Sequence, residues 1–503
     1  MPEPVSTAST ASTTPGSSAL AEDPAWSEQG RTFASLRFHN YRIWFFAALV
    51  ANTGTWMQRV AQDWLVLRIL TDDSATATGI TTALQFLPAL LVSAHAGLVA
   101  DRVNQRRFLI ATQSAMGLVS LVLGLAVISG RAQLWHVYLA ALASGAAAAY
   151  DAPARQTFVA QLVPAGSRAN AMGLNAASFN AARLLGPAAA GVVIAWVGAG
   201  VVFEINAASF LFPALALILM RGDELRPVAR APRSKGQLRE GLACIRRRTD
   251  ILVIIGVVTV VSTLTLNFQL TMAAMVRSVF HLESDAYGTV SSVFAIGSLA
   301  GALWAARRRS PRVRTVVVGS FFLGLFTMVM ALMPTYSSFA VATIPVGLCV
   351  LTVLTGANQA IQLSVPDEVR GRVISIYIIA QLGTTPIGAP VMGGLADAWG
   401  PRASLLIGGA AAVLVATAAL VWTRRHWHLA LTHSSTRPYL RMTGPRERSA
   451  AGARSRPGGQ RSGPRGRVTD ILLPAPAPHE RGGARARPPA WAGNRRRRRR
   501  ERT

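Results

Sequence analysis

Lysine is nearly absent from this 503-residue chain: Lys235 is the single one, and arginine carries the positive charge. Cysteine is scarce too. Cys244 falls in a basic loop and Cys349 in an apolar run, which speaks against a disulfide framework or a thiolate metal site. Charged residues make up only 15% of the chain against 51% hydrophobic, with mean hydropathy +0.34, too apolar for a soluble globular protein of this length. No Gly-x-x-x-x-Gly-Lys-Ser/Thr sequence occurs, and no second soluble domain is left to host one, so an ATP-driven pump is disfavoured. Neither a nucleophile motif nor a metal-ligand cluster stands out, and no enzyme activity, metal or cofactor is expected. Residues 1–30 are rich in Ser, Thr, Ala and Pro and lack the basic-then-apolar order of a cleavable signal peptide.

What the chain has is long uncharged runs: 108–130, 132–150, 184–203, 251–276, 286–306, 373–396 and 403–423. About 20 apolar residues cross the hydrocarbon core as a helix, and in lipid each backbone polar group must be paired within its own segment. The stretch 315–366 is twice that length and breaks near Pro334. The pattern predicts an all-α membrane protein of twelve transmembrane helices: 41–68, 78–100, 108–130, 133–154, 168–197, 200–220, 251–276, 286–306, 315–333, 337–363, 372–396 and 403–423. These divide into a disordered leader (1–34), a six-helix bundle (35–220), a linker (221–250), a second six-helix bundle (251–425) and a disordered Arg-rich tail (426–503).

The net charge of +28 is concentrated at one end. Residues 424–503 hold 21 arginines against Glu447, Asp470, Glu480 and Glu501, so +17 of it sits there. Such a tail cannot bury a core. It reads as a dispensable extension, with attraction to anionic lipid headgroups as the sharper alternative; polyarginine binds nucleic acid only nonspecifically, so no specific nucleic-acid partner is expected. In the short loops, the leader and alternate connections carry twenty-four basic residues and the opposite connections only Arg68, Arg131, Arg277 and Arg402. The asymmetry predicts cytoplasmic termini and a cytoplasmic central loop, in the inner membrane.

A repeat appears at an offset of 202 residues: Val163-Pro164 with Val365-Pro366, Arg168 with Arg370, Gly186 with Gly388, and Gly191 with Gly393. Each match lies just before or within the fifth helix of its half. Two halves related by an axis along the membrane normal follow from it.

Between helices 2 and 3, Gly97, Asp101, Arg102, Arg106 and Arg107 recur at a spacing that resembles the loop signature of the major facilitator superfamily, with Asn104 and Gln105 as departures. Gly97 allows a close helix approach, and Asp101 at a helix end can pair with a basic residue or a helix N-terminus, latching two bundles. A merely positive loop is the plain alternative. The matching place in the second half, Gly301 to Arg309, keeps the glycine and arginines but lacks the acid. Gly186, Pro187 and Gly191 partly resemble the Gly-Pro signature of the antiporter branch, and Gly388, Pro390 and Gly393 form a second version; small-residue packing alone explains both equally well. The segment Trp56 to Trp64, together with Asp151 to Gln156, is similar to the enterobactin-exporter-like branch called transmembrane secretion effectors. The resemblance covers about residues 35–425.

Charged groups inside a bilayer cost at least a few kcal/mol, so those that persist face a cavity or pair. Arg59 and Asp63, four apart on one helix face, and Arg183 in helix 5 stand out. The resemblance implies that helices 1 and 5 line a central cavity, which makes Asp63 the candidate for proton or cation coupling, with Arg59 and Arg183 tuning it. A structural ion pair is the competing reading. Asp151 is expected to complete the latch with Arg102, Arg106 or Arg155, and His95 to be a packed residue rather than a titrating one. The chain is thus expected to be a proton-coupled, monomeric exporter of small organic molecules (drugs, siderophores or secondary metabolites) working by alternating access in the lipid bilayer. An uptake transporter of the same fold and a non-transporting membrane sensor or scaffold remain open, and the substrate is not readable.

Overall fold

The computed structural model describes residues 33–225, 242–246, 248–306, 313–365, 367–427, 430–433 and 440–443. It is almost wholly helical. The helices are α1, His39–Trp64, which runs on in wider π turns over Leu65–Leu70; α2, Ala75–Arg102; α3, Gln105–Ile128; α4, Leu134–Val159; α5, Arg168–Val197; and α6, Ala199–Leu219. They continue with α7, Thr249–Val279; α8, Ser284–Ala306; α9, Val313–Ala331; and α10, Tyr336–Ser364. Last come α11, in two pieces, Asp367–Leu382 and Thr385–Trp399, and α12, Pro401–Trp427.

Ten of these are long and apolar enough to cross a membrane. The other two, α1 and α4, have 26 residues each and so the length, but their polar load sets them apart: Asn52, Gln58, Arg59, Gln62 and Asp63 in α1, Asp151 and Arg155 in α4. The interruptions have local causes. Pro213 and Pro386 have no N–H to give to the residue four back, and the helices break at Phe210 and at Gly383–Thr384. In α7 the chain leaves helical geometry at Leu266 and Asn267 without a proline. There side chains take over: the Asn267 amide donates to the Thr263 carbonyl (2.8 Å), and the Thr265 hydroxyl donates to the Gly408 carbonyl of α12 (2.7 Å). After α12, where no regular structure is expected, Ala430–His433 and Leu440–Thr443 form an antiparallel pair, β1 and β2. An isolated two-stranded ribbon of this length has little stability of its own in water.

The helix packing repeats at the offset seen in the sequence. α2 packs on α4 as α8 packs on α10, and α3 on α6 as α9 on α12, while α2–α11 and α5–α8 are the broad contacts between the two sets. The paired glycines occupy matching contacts. A Cβ on Gly186 would strike Trp56, Thr53 and Met57 of α1, and one on Gly388 would strike the Thr263 backbone of α7. Gly191 touches Ser284 and Gly288 of α8; Gly393 touches Ala75 and Thr76 of α2. A further pair escapes the sequence reading: Gly145 meets the Gln85 backbone and Gly347 meets the Phe294 backbone. Arg168 and Arg370 also correspond, donating to carbonyls at the ends of α4 (Ala160, 3.2 Å) and α10 (Val365, 3.3 Å).

Candidate functional site: a charged centre with a closed end

α1 and α5 are held close by Gly186, and this brings Trp56 and Arg59 of α1 beside Arg183. The Arg59 guanidinium lies over the Trp56 ring at 4.8 Å and the Phe86 ring of α2 at 5.6 Å. Arg183 lies over the same Trp56 ring at 5.4 Å and over Phe294 of α8 at 5.6 Å. Such cation–π contacts are electrostatic and strengthen where water is excluded. The structural ion pair of the competing reading does not form between Arg59 and Asp63: among the described residues neither arginine has a carboxylate oxygen within 4.0 Å, and the buried Arg59 Nε has no partner. Spacing put both groups on one face, but the aromatic rings draw the guanidinium away.

Asp63, 6% exposed, finds its partner elsewhere. The Tyr287 hydroxyl of α8 donates to its Oδ2 at 3.0 Å, with the Gln269 carbonyl of α7 at 3.2 Å as an alternative acceptor. The Trp64 and Tyr287 rings stack at 6.4 Å. The carboxylate therefore joins α1 to elements of the other set of helices.

The same end of the molecule is closed by polar contacts. Arg277, at the end of α7, donates to Asp73 in the α1–α2 turn and to Glu283, each at 3.1 Å. Asp73 holds a left-handed backbone, φ 72°, which a short polar side chain tolerates. Asp397, near the end of α11, receives the backbone N–H groups of Ala75 (2.7 Å) and Thr76 (2.9 Å) and the Ser74 hydroxyl (3.1 Å). Those N–H groups are the unpaired donors at the start of α2, where the helix dipole also favours an anion.

The latch residues expected at the opposite end fare differently. Gly97, Asp101 and Arg102 lie along α2, but their side chains fall outside the described residues. The Arg106 Nε and Nη2 cap α6 through the Leu217 (2.5 Å) and Ile218 (2.9 Å) carbonyls. Asp151 is fully buried, taking hydrogen bonds from Thr112 (2.8 Å), Gln113 (2.9 Å) and Arg155, whose Nη1 also reaches Asn52 at 3.4 Å. It binds α1, α3 and α4 together. Of the three arginines considered for Asp151, Arg155 is the one found. The unusual Asn104 has a local purpose, since its Oδ1 caps α3 at the Arg107 N–H. Pro187 and Pro390 sit at the α5–α8 and α2–α11 contacts, where the Pro187 carbonyl faces Gly288 and the Pro390 backbone faces Gly79. His95, expected to be packed, is exposed and is bonded to the Tyr150 hydroxyl (2.9 Å). Two surface grooves run along α9 and α10, one around Phe326 and Met333 and one around Phe322 and Cys349 that also takes in Trp304 of α8, and neither is lined by Arg59, Asp63 or Arg183.

Sequence reasoning missed Tyr287, Arg277 and Asp397. Tyr287 is one polar atom in an apolar run, and Arg277 was counted only as a loop charge. Asp397 offered one signal, an acid at a helix end facing the glycine-lined α2–α11 contact.

A helical bundle of two matching sets, closed at one end and charged at its centre, is the architecture of a membrane transporter. The chain belongs to the transmembrane secretion effector family, whose model matches residues 30–446. It is 28% identical to the multidrug efflux pump Tap of Mycolicibacterium fortuitum over 376 residues, 72% of this chain and 90% of that protein. With the staphyloferrin A transporter of Staphylococcus aureus it shares 24% over 362 residues, 71% of this chain and 90% of that one. Its fold is similar to that of a bacterial homolog of the human lysosomal transporter Spinster, inward-facing and unoccupied (TM-score 0.63, 15% identity, 77% of this chain and 97% of that one). It is also similar to a POT family transporter in complex with 5-aminolevulinic acid (TM-score 0.61, 11% identity, 76% and 96%).

Proposed function

We propose that the protein exports small organic molecules from the cytoplasm in exchange for protons, by alternating access between two six-helix halves. All twelve helices cross the inner membrane in this reading, with both termini and the 221–250 loop cytoplasmic, as the loop arginines dictate. The closed end with Asp73, Arg277 and Asp397 is then the outer one, and the molecule faces inward. The relatives supply the direction of transport, since one is named an efflux pump.

The observation that carries the reading is Asp63: a buried carboxylate with no cation within 4.0 Å among the described residues, tied to a hydroxyl from the opposite half. A carboxylate so placed exchanges charge for a proton at a conformational cost. Deprotonated, it accepts the Tyr287 proton and holds α1 to α8. Protonated, it donates to the Tyr287 oxygen, and the phenol turns to the Gln269 carbonyl 3.2 Å away. Proton occupancy thus changes the contact between the halves, which is what coupling requires. The test uses everted membrane vesicles holding an imposed pH gradient. Addition of a transported compound should release the gradient in wild type and not in Asp63→Asn. Equal release by both proteins ends the proton-carrier assignment.

A further inference from the structure

We propose that the centre of the molecule selects an organic anion, a carboxylate carried on an aromatic or other planar body, gripped between Arg59 and Arg183. The proposal rests on the transport reading only in taking this centre as the place where cargo binds. Two guanidinium groups and one acid meet there, and the acid is already occupied by Tyr287. Neither arginine has a carboxylate oxygen within 4.0 Å among the described residues. Both are half-buried, and a charge so placed is costly to leave without a counter-charge.

Their geometry leaves the right groups free. A guanidinium lying over an aromatic ring uses its flat face, and its N–H donors project from the edge. Arg59 and Arg183 both lie over the Trp56 ring, Arg59 also over Phe86 and Arg183 also over Phe294. The Arg59 Nε, buried and without an acceptor, is the direct sign of a missing one. Two like charges centred on one ring also repel each other, and an anion between them relieves both at once. A carboxylate satisfies two or more of these donors in a charge-assisted, bidentate manner. The partly exposed Phe86 ring gives its apolar body a surface to stack on. A cationic cargo would meet two uncompensated positive charges.

The test is equilibrium binding to the detergent-solubilised full-length protein, with no gradient imposed, using 2-naphthoate, its neutral isostere 2-naphthamide and tetraphenylphosphonium as probes. Naphthoate should bind at least about tenfold more tightly than naphthamide, the size a single charge-assisted hydrogen bond supplies. Arg183→Gln and Arg59→Gln should each erase most of that preference, and Arg183→Lys should keep part of it. Melting curves without probe show whether each variant is folded. If a glutamine variant fails to fold, the wild-type comparison and Arg183→Lys decide. Equal affinity for acid and amide, tightest binding of the phosphonium cation, or a preference untouched by both glutamine substitutions overturns the proposal. Because binding needs no proton gradient, anion selectivity without gradient release would instead count against the coupling reading alone.

Discussion

The two sets of helices share a packing plan but not a chemistry. Counted from the π turns that begin at Leu65 and Met275, Arg59 aligns with Gln269 and Asp63 with Ala273. At the 202-residue offset, Arg183 aligns with Thr385, Asp151 with Val353 and Arg155 with Ala357. Each of these five ionisable residues thus has an uncharged counterpart. The glycines, by contrast, are kept on both sides and fill equivalent contacts. Close helix approach is a demand both halves face, whereas a buried charge is tolerated only where it has work to do. The second half supplies neutral partners: the Tyr287 hydroxyl, the Gln269 carbonyl and the Phe294 ring.

The contrast can be broken in graded ways. The largest effect belongs to Asp63. Asp63→Asn makes the first half as uncharged as the second at the proposed coupling position, and gradient-driven export in vesicles should fall to background. Probe binding at equilibrium should survive, because the amide keeps the shape and still accepts from Tyr287. Next comes the buried pair. Asp151→Ala strands Arg155 beside Thr112 and Gln113 and should cost about 3–5 kcal/mol in reversible unfolding from mixed micelles. The double change Asp151→Val with Arg155→Ala copies Val353 and Ala357 from the other half and should recover most of that loss. A double variant no more stable than the single one would show that the halves are not interchangeable here.

Gly388→Val tests the shared element. Its new Cβ meets the Thr263 backbone, which cannot swing aside as a side chain can, so a loss of about 1–3 kcal/mol is expected by the same unfolding measurement. Gly186→Val should cost a similar amount against α1, and a large difference between them would separate the two contacts. The smallest effect is expected for Asp397→Asn. The amide retains one acceptor oxygen for the start of α2 but loses the charge, worth about 0.5–1.5 kcal/mol. Spin-label distances across the Asp73–Arg277 end should then show a several-fold larger population with that end apart.

Much of this was legible beforehand, for physical reasons. Span positions follow from the thickness of a bilayer, and the repeat from glycines that have no substitute at a helix crossing. The charges of α1 and α5 announced the centre because lipid makes them expensive. What stayed hidden was who meets whom. The i,i+4 spacing of Arg59 and Asp63 gave proximity but not rotamer, and the rings of Trp56 and Phe86 decided the outcome. Arg106 carried a loop signature yet turned to backbone carbonyls, since an arginine near an α6 terminus finds open acceptors there. Tyr287 and Asp397 act across contacts more than 200 residues long in sequence, which no local pattern encodes.

Asp397 also bears on how the molecule is made. The N–H groups that open α2 are satisfied by a carboxylate 322 residues downstream of Ala75. At roughly 5–20 residues per second, the ribosome takes from about a quarter of a minute to a minute to deliver it. Until then the first half stands in the bilayer with that helix end turned to water, and only the arrival of the penultimate helix finishes it. The first half is therefore a provisional structure, completed from the far end of its own message.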